Sequence, residues 1–454
     1  MSSEESEIDL SEAHFYNLPS QSNVYGLTSI TFPDGSNKIL VASLRGKIVC
    51  VEYQNERGVF RPSVKEVHFT YIPGDAEIIS IDAFSRSGSG TGLVVGITFI
   101  KDAGNNPTQF LNIYSPWEAG SEYNLDSIAQ GCFNLELDFI PYHLYHTEVF
   151  CDGSWETVFL LSGGDSQVHV YKEDKFYVMS KFEEIPCEDF FPEFKDLQSN
   201  VLWMDIKNVH GEERLTAMGC ENGYFKVCVV NPKTVEVLRF ISGQHDGAVT
   251  SIRVFFTEDT IDMPCIEGLP SNLPGSDRAD AKETDYHLLV SHAAEPTIVY
   301  RNCIQNGLHQ KYILEDSEKF HGIICTCLAD VDWDGSQEIL LGAYGQKLLV
   351  YKFIKSIKHD EESIATNANE GQTDCEGASP MMEDDGEYKM VWERTFAHPV
   401  LAMQYLDLTN DGLSELSLVS TKGLHILQHD LDKARDRCAQ RLKQLIQIRD
   451  DERT

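Results

Sequence analysis

The sequence predicts an all-β protein, a single seven-bladed β-propeller followed by a short C-terminal α-helix. Three observations carry this prediction. Short runs of alternating apolar and polar residues, typical of β-strands, follow one another along most of the chain and are separated by turn-forming residues. A strand with an aromatic or aliphatic end recurs seven times, and a loop of regularly spaced aspartates occurs twice. Only the end of the chain has helical periodicity over a long stretch.

The seven recurring strand ends set the number of blades. They lie 51 to 76 residues apart, and each of the two longest intervals contains a polar insertion. Such an interval accommodates four short strands with their turns, which is the content of one propeller blade. The strand ends are Val51-Glu52-Tyr53, Asn112-Ile113-Tyr114, His169-Val170-Tyr171, Cys228-Val229-Val230, Ile298-Val299-Tyr300, Leu349-Val350-Tyr351 and His425-Ile426-Leu427.

Strands can be assigned to the blades in chain order. The predicted strands include 24–32, 38–44, 47–53 and 68–72 in the first unit, 92–100 and 110–114 in the second, and 157–161, 167–171 and 176–181 in the third. The fourth unit includes 201–205, 215–218, 224–230 and 235–241, and the fifth includes 287–291 and 297–300. The sixth includes 390–396, and the seventh includes 401–406, 416–419 and 424–428. The chain becomes helical soon after residue 428, so the seventh unit has three evident strands and lacks a fourth. Because an open strand edge promotes aggregation, we predict that a strand near residues 14–18 closes the ring.

The remaining segments lie outside the blades. We expect residues 1–13 to form a disordered acidic N-terminus and residues 14–430 to form the propeller. Two inserts, 257–285 and 357–388, are predicted to be disordered loops that are dispensable for folding. The first contains three prolines, and residues 360–387 of the second contain ten acidic side chains and no lysine or arginine.

The C-terminal segment, residues 431–454, is predicted to contain an amphipathic helix. Its apolar side carries Leu431, Ala434, Cys438, Leu442 and Leu445, and basic residues surround that side. The periodicity fits both a helix packed on the propeller rim and a helix that binds a partner.

The aspartate loop at residues 330–338 carries oxygen side chains at Asp330, Asp332 and Asp334, a turn glycine, and Glu338 at the start of the next strand. A second loop at residues 407–415 repeats the spacing with a neutral threonine at its third position. Alternating oxygens suit calcium, but aspartates also stabilise turns without an ion. An integrin-type calcium loop has an aspartate at its ninth position, where this chain has the longer Glu338. We therefore favour ion-free turns and predict no metal site.

Composition limits the classes of partner. Thirty-seven basic and 72 acidic residues give a net charge of −35, which disfavours nucleic acid and anionic membrane surfaces and favours protein partners. The 12 cysteines have no disulfide or zinc spacing, so Cys325 and Cys327 are interpreted as core thiols. No signal-peptide pattern and no apolar run long enough to span a membrane occurs, which predicts a cytoplasmic protein without direct membrane insertion.

Sequence motifs for catalysis are missing. No nucleophile elbow, Walker sequence or zinc-protease motif occurs, and His143 with His146 has no third ligand nearby in sequence. The glycine-rich segment 88–92 precedes a strand rather than a helix, so it is interpreted as a turn and not as a phosphate loop. We therefore predict no enzyme activity, no cofactor, and no catalytic or cofactor-binding residue.

Long, uncommon strings of residues resemble the vertebrate kaptin family. They are residues 21–27 (Gln-Ser-Asn-Val-Tyr-Gly-Leu), 75–82 (Asp-Ala-Glu-Ile-Ile-Ser-Ile-Asp), 92–102 (Gly-Leu-Val-Val-Gly-Ile-Thr-Phe-Ile-Lys-Asp), 121–130 (Ser-Glu-Tyr-Asn-Leu-Asp-Ser-Ile-Ala-Gln), 345–351 (Gly-Gln-Lys-Leu-Leu-Val-Tyr) and 423–429 (Gly-Leu-His-Ile-Leu-Gln-His). The resemblance covers nearly the whole predicted propeller.

The resemblance implies an FG-GAP-like propeller that is a non-catalytic subunit of the KICSTOR complex. Such a subunit would contact a sister FG-GAP repeat protein and a large scaffold subunit, and would help hold the GATOR complex at the lysosomal membrane surface. It would thereby restrain TOR kinase signalling when amino acids or glucose are scarce. The same resemblance implies an alternative, an actin-filament-associated protein of lamellipodia and stereocilia. We favour the KICSTOR role, because actin filaments and this chain are both acidic.

Overall fold

The computed structural model describes residues 8–56, 59–86, 92–102, 107–116, 122–174, 181–209, 211–257, 285–355 and 386–451. Within these ranges the chain forms seven four-stranded antiparallel sheets, which confirms the predicted seven-bladed propeller. Each of the first six sheets uses four consecutive strands, and the first strand of each blade lies innermost.

The strands are numbered in chain order. Strand β1 is Leu10–Asn17; blade 1 contains β2 (Leu27–Thr31), β3 (Asn37–Ser43), β4 (Lys47–Glu56) and β5 (Val59–Val67); blade 2 contains β6 (Glu77–Ser85), β7 (Leu93–Lys101), β8 (Thr108–Tyr114) and β9 (Cys132–Leu137); blade 3 contains β10 (Pro141–Cys151), β11 (Ser154–Gly163), β12 (Val168–Asp174) and β13 (Lys181–Ile185). Blade 4 contains β14 (Val201–Val209), β15 (Glu213–Cys220), β16 (Tyr224–Asn231) and β17 (Glu236–Gln244); blade 5 contains β18 (Val249–Phe255), β19 (His287–His292), β20 (Ile298–Tyr300) and β21 (Lys311–Ile313). Blade 6 contains β22 (Ile323–Ala329), β23 (Glu338–Ala343), β24 (Lys347–Lys355) and β25 (Gly386–Thr395); blade 7 contains β26 (Val400–Leu406), β27 (Glu415–Ser420), β28 (Gly423–His429) and β1.

Helices make up a small part of the described chain. Helices α1 (Leu125–Ile128) and α2 (Cys303–Asn306) are single turns, and α3 (Leu431–Asp451) is long. Short 3₁₀ turns span Cys187–Asp189, Pro192–Phe194 and Ser317–Phe320.

The N-terminal strand β1 closes the ring, as predicted. It pairs antiparallel with β28 from Leu10 opposite His429 to Asn17 opposite Gly423. The strand begins at Leu10, so the expectation that disorder extends to residue 13 is wrong for residues 10–13. The reason is burial: Ile8 and Leu10 lie in the apolar cluster between blades 6 and 7. Residues 1–7 lie outside the described residues.

The core lies between the blades rather than at the centre of the ring. Seven apolar clusters are found among the described residues, and each joins side chains of two neighbouring blades. The tyrosines of the recurring strand ends belong to these clusters. Tyr351 is buried, and its hydroxyl donates to the carbonyl of Glu315 in the connector before blade 6, over 2.7 Å. An aromatic residue at this position therefore fills the joint and fixes the connector.

The innermost strands share a local irregularity. In blades 2 to 7, the pairing of the first and second strands shifts register within the first four residues of the innermost strand. An extra residue at such a point bends and twists a strand. The repeated shift therefore gives the innermost strands a common shape around the channel.

The two predicted inserts, 257–285 and 357–388, fall largely outside the described residues, which omit 258–284 and 356–385. Their predicted ends need correction. Strand β25 begins at Gly386, opposite Lys355, because Tyr388 is buried against Tyr312 and Phe353. Asp285 is also buried, since its carboxylate accepts hydrogen bonds from the backbone of Ile304 and Gln305 in α2.

Candidate interaction face

A cavity of about 720 Å³ opens where the innermost strands end. The ends of β14, β18, β22 and β26 line it together with parts of β24 and β25. We call this side of the ring the cavity face. Because neighbouring strands are antiparallel, the loops between first and second strands also lie on the cavity face, and the turns between second and third strands lie on the opposite face.

The cavity concentrates positive charge in an acidic protein. Five cationic side chains line it, whereas Asp205 is the single carboxylate among its lining residues. The whole chain has the opposite balance, 37 basic to 72 acidic residues. The five cationic residues are Lys207, Arg253, Arg301, Lys352 and Lys355. Lys352 is paired with Asp332 and Asp334, so Lys207, Arg253 and Arg301 are the cations that would attract an acidic group of a partner.

Asp205 organises one side of the cavity. It is buried, and one carboxylate oxygen accepts a hydrogen bond of 2.8 Å from the backbone nitrogen of Val254. Its other oxygen lies 3.7 Å from Arg253 and 3.8 Å from Lys207. One carboxylate thus faces two cations, so it does not neutralise both.

Arg301 supplies a second uncompensated charge. The guanidinium lies 3.8 Å from the ring centre of Phe353, and the side chain is largely buried. Among the described residues, no carboxylate pairs with Arg301 and its Nε has no hydrogen-bond partner. A guanidinium held on an aromatic ring keeps its planar donors available for a carboxylate or phosphate.

The innermost strands also line a second cavity of about 240 Å³, which contains His143, His146 and Trp203. His143 stacks on Trp203 at 4.6 Å, and its Nδ1 accepts from the backbone of Met204 over 3.3 Å. Burial lowers the pKa of His143 to about 3. His146 instead lies 2.7 Å from Asp82. The two histidines thus have separate structural partners and do not converge on a common site.

The aspartate loop at 330–338 folds around its own carboxylates. Asp330 accepts from the backbone of Asp334 and Gly335, and Asp334 accepts from that of Ser336. Trp333 adopts a φ of 55°, which this tight turn requires. The loop is therefore held by side chain to backbone hydrogen bonds.

Lys352 supplies the positive charge of this loop. Its ammonium group pairs with Asp332, lies 2.6 Å from Asp334 and is 3.6 Å from Glu338. Burial opposes the charged lysine, but the hydrogen bonds to the two aspartates raise its pKa above the ordinary value. A lysine thus stands where a calcium ion would be expected, although Asp330, Asp332 and Glu338 have oxygens close enough to share a cation.

The second loop shows the same design without the charge pair. Thr409 replaces Asp332, and Gln428 occupies the position after the strand end that Lys352 occupies in blade 6. Gln428 donates to Glu415 over 3.3 Å, and Leu408 donates its backbone N–H over 2.8 Å. The second loop lacks both the acid and the lysine that Asp332 and Lys352 supply in the first, so the net buried charge is the same in the two loops. This correspondence supports the interpretation of both loops as structural turns.

The buried Glu415 should make the stability depend on pH. Burial raises its pKa from 4.5 to about 7. Between these values the unfolded chain releases its proton first, so the folded state should lose stability as pH rises through this window. We expect Glu415→Gln to remove about 1 kcal/mol or more of that loss. Melting temperatures at pH 5 and pH 8 measure it.

The control for this pH prediction is Glu393→Gln, which alters a half-exposed glutamate of the outer strand β25. This control should keep the pH dependence of the wild-type protein. Equal slopes for the Glu415 variant and the wild-type protein would contradict the prediction.

Helix α3 begins on the cavity face, because it follows the third strand of blade 7. Asp430 caps it by accepting from the backbone of Asp432 and Lys433, and Lys433 pairs with Asp9 at 2.8 Å. Beyond this first turn, Leu442 and Ile446 are exposed. The described side chains therefore favour a helix available to a partner over one packed on the rim.

No helix among the described residues has the length and apolar character needed to cross a membrane.

Sequence reasoning did not identify the cationic cavity residues. They come from three different blades, so no local spacing connects them. A usable signal existed in the repeat itself, because Lys207 and Arg253 lie near the ends of innermost strands, where polar residues meet at the channel mouth.

Comparisons with known proteins agree with the resemblance found in the sequence. Residues 10–439 match the family model described as KICSTOR complex protein kaptin. The mouse (Mus musculus) KICSTOR complex protein kaptin is 42% identical over 444 residues, which cover 97% of this chain and 93% of that protein.

The solved structures that are similar to this chain are distant from it in sequence. A crystal structure of BBS1N in complex with ARL6DN has a TM-score of 0.50 at 9% identity, covering 93% of this chain and 97% of that one. The Dos1 propeller has a TM-score of 0.49 at 8% identity, with coverage of 94% and 97%. The first of these likenesses supports the fold and says nothing about function.

Proposed function

This chain belongs to the kaptin family, and from that membership we propose that it is a non-catalytic subunit of the KICSTOR complex that helps hold the GATOR complex at the lysosome. In this role it restrains TOR kinase signalling when amino acids or glucose are scarce. The observation that carries the proposal is the 42% identity to mouse kaptin over 97% of the chain.

The cavity face is the side on which we propose that partner subunits bind. It combines the cationic cavity, both aspartate loops and the start of helix α3. The partner group that fits the cavity is an acidic segment, since Arg301 and the pair Lys207 and Arg253 carry more positive charge than Asp205 balances.

Helix α3 offers a second contact of different chemistry. Residues 431–451 carry six basic and four acidic side chains, in contrast to the acidic chain as a whole. Leu431, Leu442 and Ile446 are exposed, with accessible fractions of 67%, 56% and 52%. An amphipathic helix of this kind binds an apolar groove. We assign both contacts to the neighbouring KICSTOR subunits, a sister FG-GAP repeat protein and a large scaffold subunit.

A charge reversal on the cavity face tests this function. Lys207→Glu with Lys355→Glu should strongly reduce the recovery of KICSTOR subunits with the tagged protein, because it makes the cavity repel an acidic segment. In cells lacking the endogenous protein, the double variant should also leave TOR kinase active after amino-acid withdrawal. Wild-type protein should restore both properties.

The matched control places the same charge change on the opposite face, with Lys319→Glu and Lys422→Glu. These lysines lie in the connector before β22 and the turn between β27 and β28. The control pair should behave as wild type. Equal losses for the two pairs would argue against the cavity face, and normal silencing of TOR in cells without the protein would contradict the KICSTOR role.

The same cells separate this role from actin binding. Direct binding to acidic filaments would have to use a local basic surface such as α3, because the chain carries a net charge of −35. Cosedimentation of the purified protein with actin filaments at physiological salt, together with normal TOR silencing without the protein, would replace our proposal with the cytoskeletal one.

A further inference from the structure

Three potential metal ligands meet on the opposite face, at the joint between blades 4 and 5. His245 lies in the connector between β17 and β18, His292 ends β19, and Glu295 lies in the turn before β20. The three side chains thus come from two separate chain segments. One ligand atom from each lies within 4.8 Å of the other two.

The distances between the side chains approach those of a metal site. His245 Nδ1 lies 3.1 Å from a carboxylate oxygen of Glu295, and the two imidazole rings are 3.9 Å apart between centres. Ligands about 2.0–2.2 Å from a tetrahedral zinc ion are roughly 3.4 Å from each other. Small rotations of the side chains would therefore bring all three onto one ion.

His292 is the observation that points to a missing ligand. Its side chain is completely buried, with 0% of its surface exposed. Among the described residues, neither ring nitrogen makes a hydrogen bond of normal geometry. The backbone of Pro296 raises the pKa of the ring, but its contact does not meet that geometry. Buried polar atoms are nearly always paired, so two unpaired nitrogens on one ring need an explanation.

The surroundings hold the ring of His245 in a fixed orientation. Tyr300 places its hydroxyl 3.1 Å from His245 Nε2, and Phe225 stacks on the ring at 5.2 Å. Gly223 allows close approach of the backbone, because a Cβ there would lie 2.1 Å from the carbonyl oxygen of His245. A hydrogen bond to the far ring nitrogen is the usual support of a metal-bound histidine.

Both rings are suited to binding in the neutral form. Burial and, to a smaller extent, the neighbouring His245 lower the pKa of His292 to about 4. Burial also lowers the pKa of His245, despite the opposing effect of Glu295. A metal can therefore bind near neutral pH without first displacing protons from the imidazoles.

We propose that His245, His292 and Glu295 bind one zinc ion, with a water molecule as the fourth ligand. Two imidazoles and one carboxylate form a donor set typical of zinc. Glu295 is one-third exposed, so the ion can enter from solvent. The bound ion would join the connector from blade 4 to the second turn of blade 5 and so strengthen this joint of the ring.

The cluster at Asp330, Asp332 and Glu338 differs from the histidine cluster because it already contains a lysine. Lys352 already supplies a cation among its carboxylates. No lysine or arginine pairs with Glu295 among the described residues; its partner is His245. The nearby Lys311 acts on His245 without pairing with the carboxylate, so the histidine cluster has no lysine or arginine among its ligand atoms.

Zinc titration of the full-length protein tests the proposal. The purified protein is stripped with a chelator and titrated with zinc against a chromogenic competitor, and bound metal is measured by mass spectrometry. We expect one zinc per chain and a higher melting temperature with zinc. Glu295→Gln and His292→Asn should each weaken zinc binding at least 10-fold. Cobalt should give the absorption spectrum of a tetrahedral site in the wild-type protein alone.

Two control variants exclude other ligands. Cys438→Ser removes an exposed thiol, and Asp332→Asn alters the acidic loop; both should bind zinc as the wild-type protein does. Glu295→Gln is the decisive variant because Glu295 is partly exposed, so its replacement should leave the fold intact. Circular dichroism checks that the variant is folded. No zinc binding at micromolar concentration, or equal binding by wild type and Glu295→Gln, would overturn the proposal.

Discussion

Deletion of residues 1–17 should lower the melting temperature and the soluble yield of the whole propeller. The deletion removes β1 and leaves β28 as an open edge, which favours association between chains. It also removes Ile8 and Leu10 from the joint of blades 6 and 7. Burial of two such side chains contributes about 3–6 kcal/mol.

Polar contacts of β1 add to this loss. Arg394 donates to the carbonyl of Leu10 over 3.0 Å and pairs with Glu12 at 3.1 Å. His425 faces the same glutamate at 3.3 Å. Deletion of residues 1–6 is the matched control, because it keeps Ile8 and β1; it should melt as the full chain does. If both deletions melt alike, β1 does not close the ring.

Replacing Lys352 should produce the second large effect. Lys352→Met leaves Asp332 and Glu338 buried without their cation, and the loss of one partner from such a cluster costs about 3–5 kcal/mol. The equivalent change in blade 7, Gln428→Met, removes one neutral hydrogen bond to Glu415 and should cost about 1 kcal/mol. Denaturant unfolding of both variants provides the comparison.

The double variant Asp332→Thr, Lys352→Gln tests the reason for this loss. It copies the residues of the second loop into the first, so the buried charge is balanced again. We expect it to regain about half or more of the stability lost in Lys352→Met, which would be a large departure from additivity. A double variant as unstable as the sum of its single changes would contradict the charge-balance account.

Calcium provides an independent check on the same loop. It should not bind the wild-type protein, whose lysine already lies among the carboxylates, but should raise the melting temperature of Lys352→Met. Calorimetric heat with a stoichiometry of one calcium per wild-type chain would show that the ion displaces the lysine.

The repeat made the fold predictable, whereas short elements were not. Seven strand ends with apolar and aromatic residues determine the blade number, because each fills a joint between blades. Strand β21, Lys311–Ile313, was missed since three residues cannot display a period. The start of β25 was missed because Gly386 and Glu387 continue an acidic stretch, and the burial of Tyr388 follows from Phe353 in another strand.

The candidate site was only partly predictable for a related reason. The acidic loop at 330–338 was visible in sequence, but its cation lies 14 residues beyond Glu338, on β24. Comparing the two repeats would have found it, since Asp332 with Lys352 corresponds to Thr409 with Gln428. The convergence of Lys207 and Arg301 could not be predicted, because it depends on the curvature of the ring.

A structure of the chain in complex with its KICSTOR partner subunits tests the central claim most directly. We expect partner density over the cavity face, with an acidic segment near Lys207, Arg301 and Lys355 and further contacts along α3. The opposite face should remain largely uncovered. Partners bound only to the opposite face or to the outer strands, with the cavity open to solvent, would contradict the account.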